Sequence, residues 1–136
     1  MNEVRKAIKT KLATNATLLA LLGNGAASIV SEFNATNSLA RPFIVIRYDG
    51  SSGRFHLAAQ VWAIQCHIDP KRDTWYKSSA ILKQVKSTID YQWLDINDDA
   101  AGCCECNWYM DIPTYHDTLF GTDVEGHRYR VYVIDA

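Results

Sequence analysis

The run Gln60-Val61-Trp62-Ala63-Ile64-Gln65-Cys66-His67-Ile68 constrains this chain more than any other stretch. It puts Trp62, Ile64, Cys66 and Ile68 at a two-residue period with Gln65 and His67 opposite them. Only an extended strand with one buried face satisfies that period. Upstream, Phe43-Ile44-Val45-Ile46-Arg47-Tyr48 is a β-branched and aromatic run of strand length, and Asp49-Gly50-Ser51-Ser52-Gly53 after it is turn material. The two runs are predicted to pair as an antiparallel hairpin that Asp69-Pro70 ends. Asp73 is placed to N-cap a following helix whose apolar positions Trp75, Leu82, Val85 and Ile89 recur at helical spacing. That helix is predicted to cover the Trp62 face.

A hairpin this apolar needs a core around it. A chain of 136 residues, 48% apolar with mixed charges, suits one soluble globular domain over residues 1–136. The net charge of -1 and pI near 6.4 exclude a global positive field as the basis for binding nucleic acid or an anionic membrane. Leu18 to Leu22 is too short to span a bilayer and lacks a signal-peptide arrangement, so the expectation is a mature protein that begins at Met1, folds in the cytoplasm and has no membrane partner. The cysteines at 66, 103, 104 and 106 are too bunched for a disulfide scaffold and read as free thiols.

Val4, Ala7, Ile8, Lys11 and Leu12 follow helical spacing, so residues 2–13 read as an amphipathic helix. Thr14 or Asn15 can cap a second short turn through Leu18, Leu19 and Leu22, ended by Gly23. A short strand is expected at Ile29 to Phe33, and Pro42 fits the start of an edge or entering strand. Tyr91 to Gly102 reads as a loop. Cys103 to Ile112 reads as a strand with Cys104, Cys106, Trp108, Met110 and Ile112 on one face and Glu105, Asn107 and Asp111 on the other. Thr114 to Gly126 reads as a long connection, and His127 to Ile134 as a last strand alternating Tyr129, Val131 and Val133 against Arg128, Arg130 and Tyr132. This order predicts an α+β fold, a mainly antiparallel sheet with two main helices packed on one face. Val45, Val61 and Ala63 leave the second face partly apolar, which suggests contact with another subunit.

No motif for chemistry stands out. Cys103-Cys104-Glu105-Cys106 with His67 or His116 invites zinc, but alternation sends Cys103 opposite Cys104 and Cys106, and neither a metal nor another cofactor is expected. Cys66 and His67 are strand neighbours that point apart, so they are not each other's partners, and no catalytic residue is assigned. Asp98-Asp99, Asp117 and Asp123 lack the spacing of a calcium loop, and Gly121 with Gly126 lacks the lysine of a phosphate loop. Arg5, Lys6 and Lys9 form a basic helix side, ordinarily a solvated one and otherwise a surface turned toward DNA. Arg54, Phe55 and His56 at the hairpin tip, and Tyr115, His116 and Phe120 in the later connection, are the candidate interface residues, since arginine and aromatics at loop tips are common anchors.

The layout resembles the tail terminator or tail completion proteins of long-tailed bacteriophages, the lambda-type minor tail protein fold. The likeness is carried by Leu21-Leu22-Gly23, a short strand around Ile29, Arg41-Pro42-Phe43-Ile44-Val45-Ile46, the run Gln60 to Ile68, the helix bearing Ile81, Val85 and Ile89, and Asp123-Val124-Glu125-Gly126-His127-Arg128-Tyr129-Arg130-Val131. Residues 92–112, with their acidic loop and cysteine-rich strand, depart from it. The resemblance implies a non-enzymatic virion protein of the tail or neck, assembled in the host cytoplasm. It implies a ring of six copies that caps the tail tube, ends tube growth, and joins tail to head. The implied partners are further copies of the chain, the tail tube protein and a head-completion or connector protein, with DNA passing through the lumen without sequence readout, near Arg5, Lys6 and Lys9. A head-completion adaptor and a small Cys/His-dependent enzyme are the alternatives.

Overall fold

In the computed structural model, residues 2–54, 57–95 and 102–135 are described. Three α-helices, α1 (Asn2–Leu12), α2 (Ala16–Leu21) and α3 (Trp75–Ile89), accompany six strands: β1 (Ile29–Ser31), β2 (Phe43–Arg54), β3 (Leu57–Ile68), β4 (Gln92–Asp95), β5 (Gly102–Asp117) and β6 (Thr122–Asp135). They form a single sheet in the order β1-β2-β3-β6-β5-β4, in which only the β1–β2 pair is parallel. The expected α+β fold, with helices on one face of a mainly antiparallel sheet, is the one observed.

The helix face is built by the periodicities that predicted it. Val4, Ala7, Ile8 and Leu12 of α1, Leu18 of α2 and Ile81, Leu82, Val85 and Ile89 of α3 bury against Ile44, Ile46, Trp62, Ile64, Cys66, Ile68, Tyr129 and Val131. Trp62 is fully enclosed, as its place in the hairpin predicts. Asn15 joins two helices: its Oδ1 accepts the Leu18 amide at 3.0 Å and caps α2, while its Nδ2 donates to Thr88 Oγ1 on α3 at 2.8 Å. Gly23 donates its amide to the Pro42 carbonyl at 2.9 Å, and a Cβ there would lie 2.6 Å from the Ala40 carbonyl carbon, so only glycine allows this approach.

Several boundaries differ from expectation. The stretch Asp49 to Gly53 is not a turn. β2 continues through it to Arg54, absorbing a register shift between Tyr48 and Ser51 where Gly50 takes a φ of 108°. Thr114 to Gly126 is not a long connection either: β5 runs to Asp117, β6 starts at Thr122, and Asp117 Oδ1 closes the turn by accepting the amides of Leu119 (2.9 Å) and Phe120 (3.1 Å). Part of the expected Tyr91–Gly102 loop is strand β4, antiparallel to β5; the Asp98-Asp99 pair lies outside the described residues. Thr74 rather than Asp73 precedes α3, because the Asp73 carboxylate is engaged with the Asp69 amide. Pro42 stands where the chain enters β2, the second of its two expected settings, since β2 lies between β1 and β3.

The largest difference is a phase change in β5. A register shift between Trp108 and Met110 inserts an unpaired residue, Tyr109. Cys106 and Trp108 stay opposite Val131 and Tyr129 of the helix face, but Met110 and Ile112 now oppose Arg128 and Gly126 on the other face. Simple alternation across residues 103–112 therefore holds only as far as Trp108. Ile112 lies directly over Gly126, where a Cβ would come within 3.0 Å of Ile112 Cδ1 and of the Ile64 carbonyl oxygen.

Candidate functional site

The sheet face away from the helices divides into two parts. At one end Val30, Phe43 and Val45 form a second, small core capped by Ala35, Leu39 and Phe120. His67 belongs to it: its ring stacks on Phe43 (centroids 4.6 Å apart), meets Phe120 edge-on, and shares a 2.7 Å hydrogen bond with Thr122 Oγ1. Burial pushes the His67 imidazole down to about 4, so it is neutral at physiological pH. Arg41 clamps the cap by donating to the carbonyls of Phe120 (2.5 Å) and Gly121 (3.3 Å). Val45, Val61 and Ala63, expected to await another subunit, are instead buried within one copy.

The rest of this face is an arginine and aromatic surface. Arg47, Ala63, Arg128 and Met110 are adjacent across four strands, and Val61, Arg130 and Asn107 form the next row. Asp49, at the β2 register shift, draws two of the arginines together, with Oδ2 2.6 Å from Arg128 Nε and Oδ1 3.2 Å from Arg47 Nη2. The Arg130 guanidinium lies 4.1 Å from the centre of the Tyr109 ring and, among the described residues, has no carboxylate partner. Its Nε and that of Arg47, with Asn107 Oδ1, are buried without hydrogen-bond partners. Tyr115, held by a 3.0 Å hydrogen bond from Gln65 Nε2, continues the surface, and the β4–β5 register places Trp93 on it as well. Trp93, Tyr109, Met110 and Tyr115 are all exposed. Arginine, tyrosine, tryptophan and methionine are the residue types that protein interfaces concentrate.

The sequence candidates scatter over this frame. Arg54 ends β2, but its side chain, with Phe55 and His56, lies outside the described residues. Tyr115 is on the exposed surface. His116 is exposed and pairs with Asp123 at 2.9 Å, and Phe120 is half-buried in the small core rather than presented to a partner. Arg5 is drawn inward, 2.6 Å from Glu32 and over the rings of Trp62 and Phe33, whereas Lys6 and Lys9 are exposed on α1. Cys66 is enclosed on the helix face and His67 on the other, and burial pushes the Cys66 thiol far up, so it holds no thiolate at neutral pH. Among the described residues no group of three or more His, Cys, Asp or Glu side chains is arranged to hold a metal, and no helix is long and apolar enough to cross a membrane. Sequence reading missed Arg47, Tyr109, Arg128 and Arg130 as a unit. Its available signal was the pair of arginines alternating with Tyr129, read only as one side of the last strand.

Neither protein-family models nor curated proteins match the chain. A solved structure does. A chain in the structure described as "Virion of native gene transfer agent (GTA) particle" superposes with a TM-score of 0.70, covering 95% of this chain and 92% of that one at 14% identity. The likeness is one of fold and spans nearly the whole of both chains.

Proposed function

We propose that this protein is a structural component of a phage-like virion, acting as a tail terminator: a ring subunit at the head-proximal end of the tail tube that stops tube growth and joins tail to head. The observation carrying this reading is the fold match, over nearly the whole of both chains, to a chain of a gene transfer agent virion. The sheet supports it too. Among the described residues, no strand pairs with the outer side of β5 beyond Cys106, or with β2 beyond Ile46 on its β1 side, so both borders lack a neighbouring strand. Open borders are an aggregation hazard unless assembly uses them.

The mechanism is steric. A contact between two different surfaces, repeated around a closing rotation, makes a ring, and each junction needs on the order of 800 Å² per partner. Six copies would surround a lumen through which DNA passes without sequence readout. The exposed side of α1 that carries Lys6 and Lys9 is the candidate to face it. The tube protein on one side and a head connector on the other are the proposed partners, and the work requires no bond-making chemistry.

The test is negative-stain imaging of particles assembled without this protein. Over-long headless tails would support termination, and short free tails beside filled heads would support joining alone. Normal infectious or transducing particles would sink the proposal.

A further inference from the structure

Two features of the sheet fit one another. The β5–β6 turn presents Leu119, 73% exposed, between the acidic residues Asp117 and Asp123. It is a pre-set shape: Gly121 takes a φ of 65°, Asp117 ties down the Leu119 and Phe120 amides, and Arg41 holds the carbonyls on the other side. An isoleucine or leucine left this bare on a rigid tip loses little entropy on insertion elsewhere. Away from the tip, the outer face offers exposed Tyr109 and Met110 among Arg47, Arg128 and Arg130, with Asp49 alone opposing them among the described side chains. The tip sets an apolar point between two aspartates, Asp117 bound to the turn amides and Asp123 paired with the exposed His116; the face is basic with an apolar floor.

We propose that these surfaces meet between copies, the Asp117–Asp123 turn of one subunit seating Leu119 on Tyr109 and Met110 of the next, with its carboxylates against Arg128 and Arg130. The inference rests on the ring reading for its biological meaning but not for its chemistry. The turn and the face are different parts of one molecule, so the contact is head-to-tail, as ring growth requires. From the Tyr132 row to the Val124 row, across β4, β5 and β6, the face measures roughly 27 by 14 Å. That is below the ~800 Å² per partner of a stable junction. The contact is therefore one part of a larger junction and weak by itself, so free subunits meet there at high concentration and separate on dilution.

Nucleic acid is the less suitable occupant. Every lysine of the chain lies in α1, α3 or the segment between β3 and α3, so the face has none.

The experiment places a photo-crosslinking phenylalanine analogue at position 119 of the full chain and irradiates a mixture of isotopically light and heavy protein at increasing concentration. Light-to-heavy crosslinks landing on Tyr109–Met110 or Arg128–Arg130, reduced at least tenfold by Arg130→Glu, are expected. An unchanged circular dichroism spectrum of Arg130→Glu checks that the variant still folds. Crosslinks confined within one chain, or landing elsewhere, would overturn the contact, as would salt-sensitive binding of a DNA duplex that the same variant abolishes. The two readings fail separately. Crosslinks in free protein with normal particles in its absence would leave the contact standing and remove the virion role. Particles that incorporate Leu119→Asp normally but fail without the protein would do the reverse.

Discussion

Single residues in this fold hold positions that their neighbours have already determined. At position 23 an alanine Cβ would be driven into the Ala40 backbone, and Gly23→Ala is expected to cost about 1–3 kcal/mol by urea denaturation, the usual range for overpacking. Tyr91 is the reverse case. It is an exposed non-glycine residue at a φ of 59°, so Tyr91→Gly relieves strain and should be neutral or stabilising by up to about 1 kcal/mol. A clear loss of stability would mean that the tyrosine ring has a role the exposed position does not suggest. His67 sets a pH dependence. Unfolded, it takes a proton near pH 6.5, whereas burial holds the folded imidazole neutral down to about 4. The unfolded state binds more protons across that window, so stability rises with pH there. The contribution is complete above 6.5 and lost as pH falls toward 4, amounting to about 3 kcal/mol. His127, also depressed by burial, acts in the same direction. Denaturation midpoints from pH 7 to 4 should fall less steeply in His67→Gln, by about one proton's worth of slope. Equal slopes would show that the ring is protonated in the folded protein.

Elements are tied to one another by a few side chains at their ends. Asn15 both starts α2 and bonds α3, so Asn15→Ala should cost about 1–2 kcal/mol, at the upper end for a cap because the Thr88 contact is lost as well. The β5–β6 turn is fastened from outside by Arg41. Arg41→Ala should leave the sheet intact while the amides around Gly121 exchange faster with deuterium, by tenfold or more. Unchanged exchange there would mean that Asp117 alone holds the turn, and it would weaken the case for a clamp. The β5 register shift matters most at this scale. By spending Tyr109 it turns Met110 and Ile112 away from the helices and brings Asp111 to His127, 3.3 Å from its Nε2.

For the whole molecule, β3 is shared by both cores, with Trp62 and Ile64 in the larger one and His67 stacked on the smaller. Neither side can melt without removing a wall of the other. Thermal unfolding followed by Trp fluorescence and by the His67 ring proton in NMR is expected to give coincident midpoints. Separate midpoints would make the small core an independent cap. With both faces largely sealed inside one copy, the surface left for assembly is narrow: the arginine-aromatic strip, the acidic turn and the open strand borders.

Periodicity was enough to specify α1, the β2–β3 pairing, α3 and the later part of β6, and hence an α+β fold, because each of those segments repeats its apolar residues at the period of the element it forms. Trp62, Ile64, Leu82, Val85 and Ile89 were legible as core for the same reason. The sequence was silent on what depends on a partner strand. Whether Gly50 ends a strand or lets it bend, whether residue 109 pairs or bulges, and whether Phe120 faces solvent or His67 are settled by the register of β5 against β6 and β2 against β3. Those are long-range pairings, and one displaced residue sends every later side chain to the other face. Met110 joins the candidate interface only after that displacement: alternation alone already puts Tyr109 on the face of Asn107, beside Arg128 and Arg130, and the bulge, which no local pattern encodes, turns Met110 to the same side.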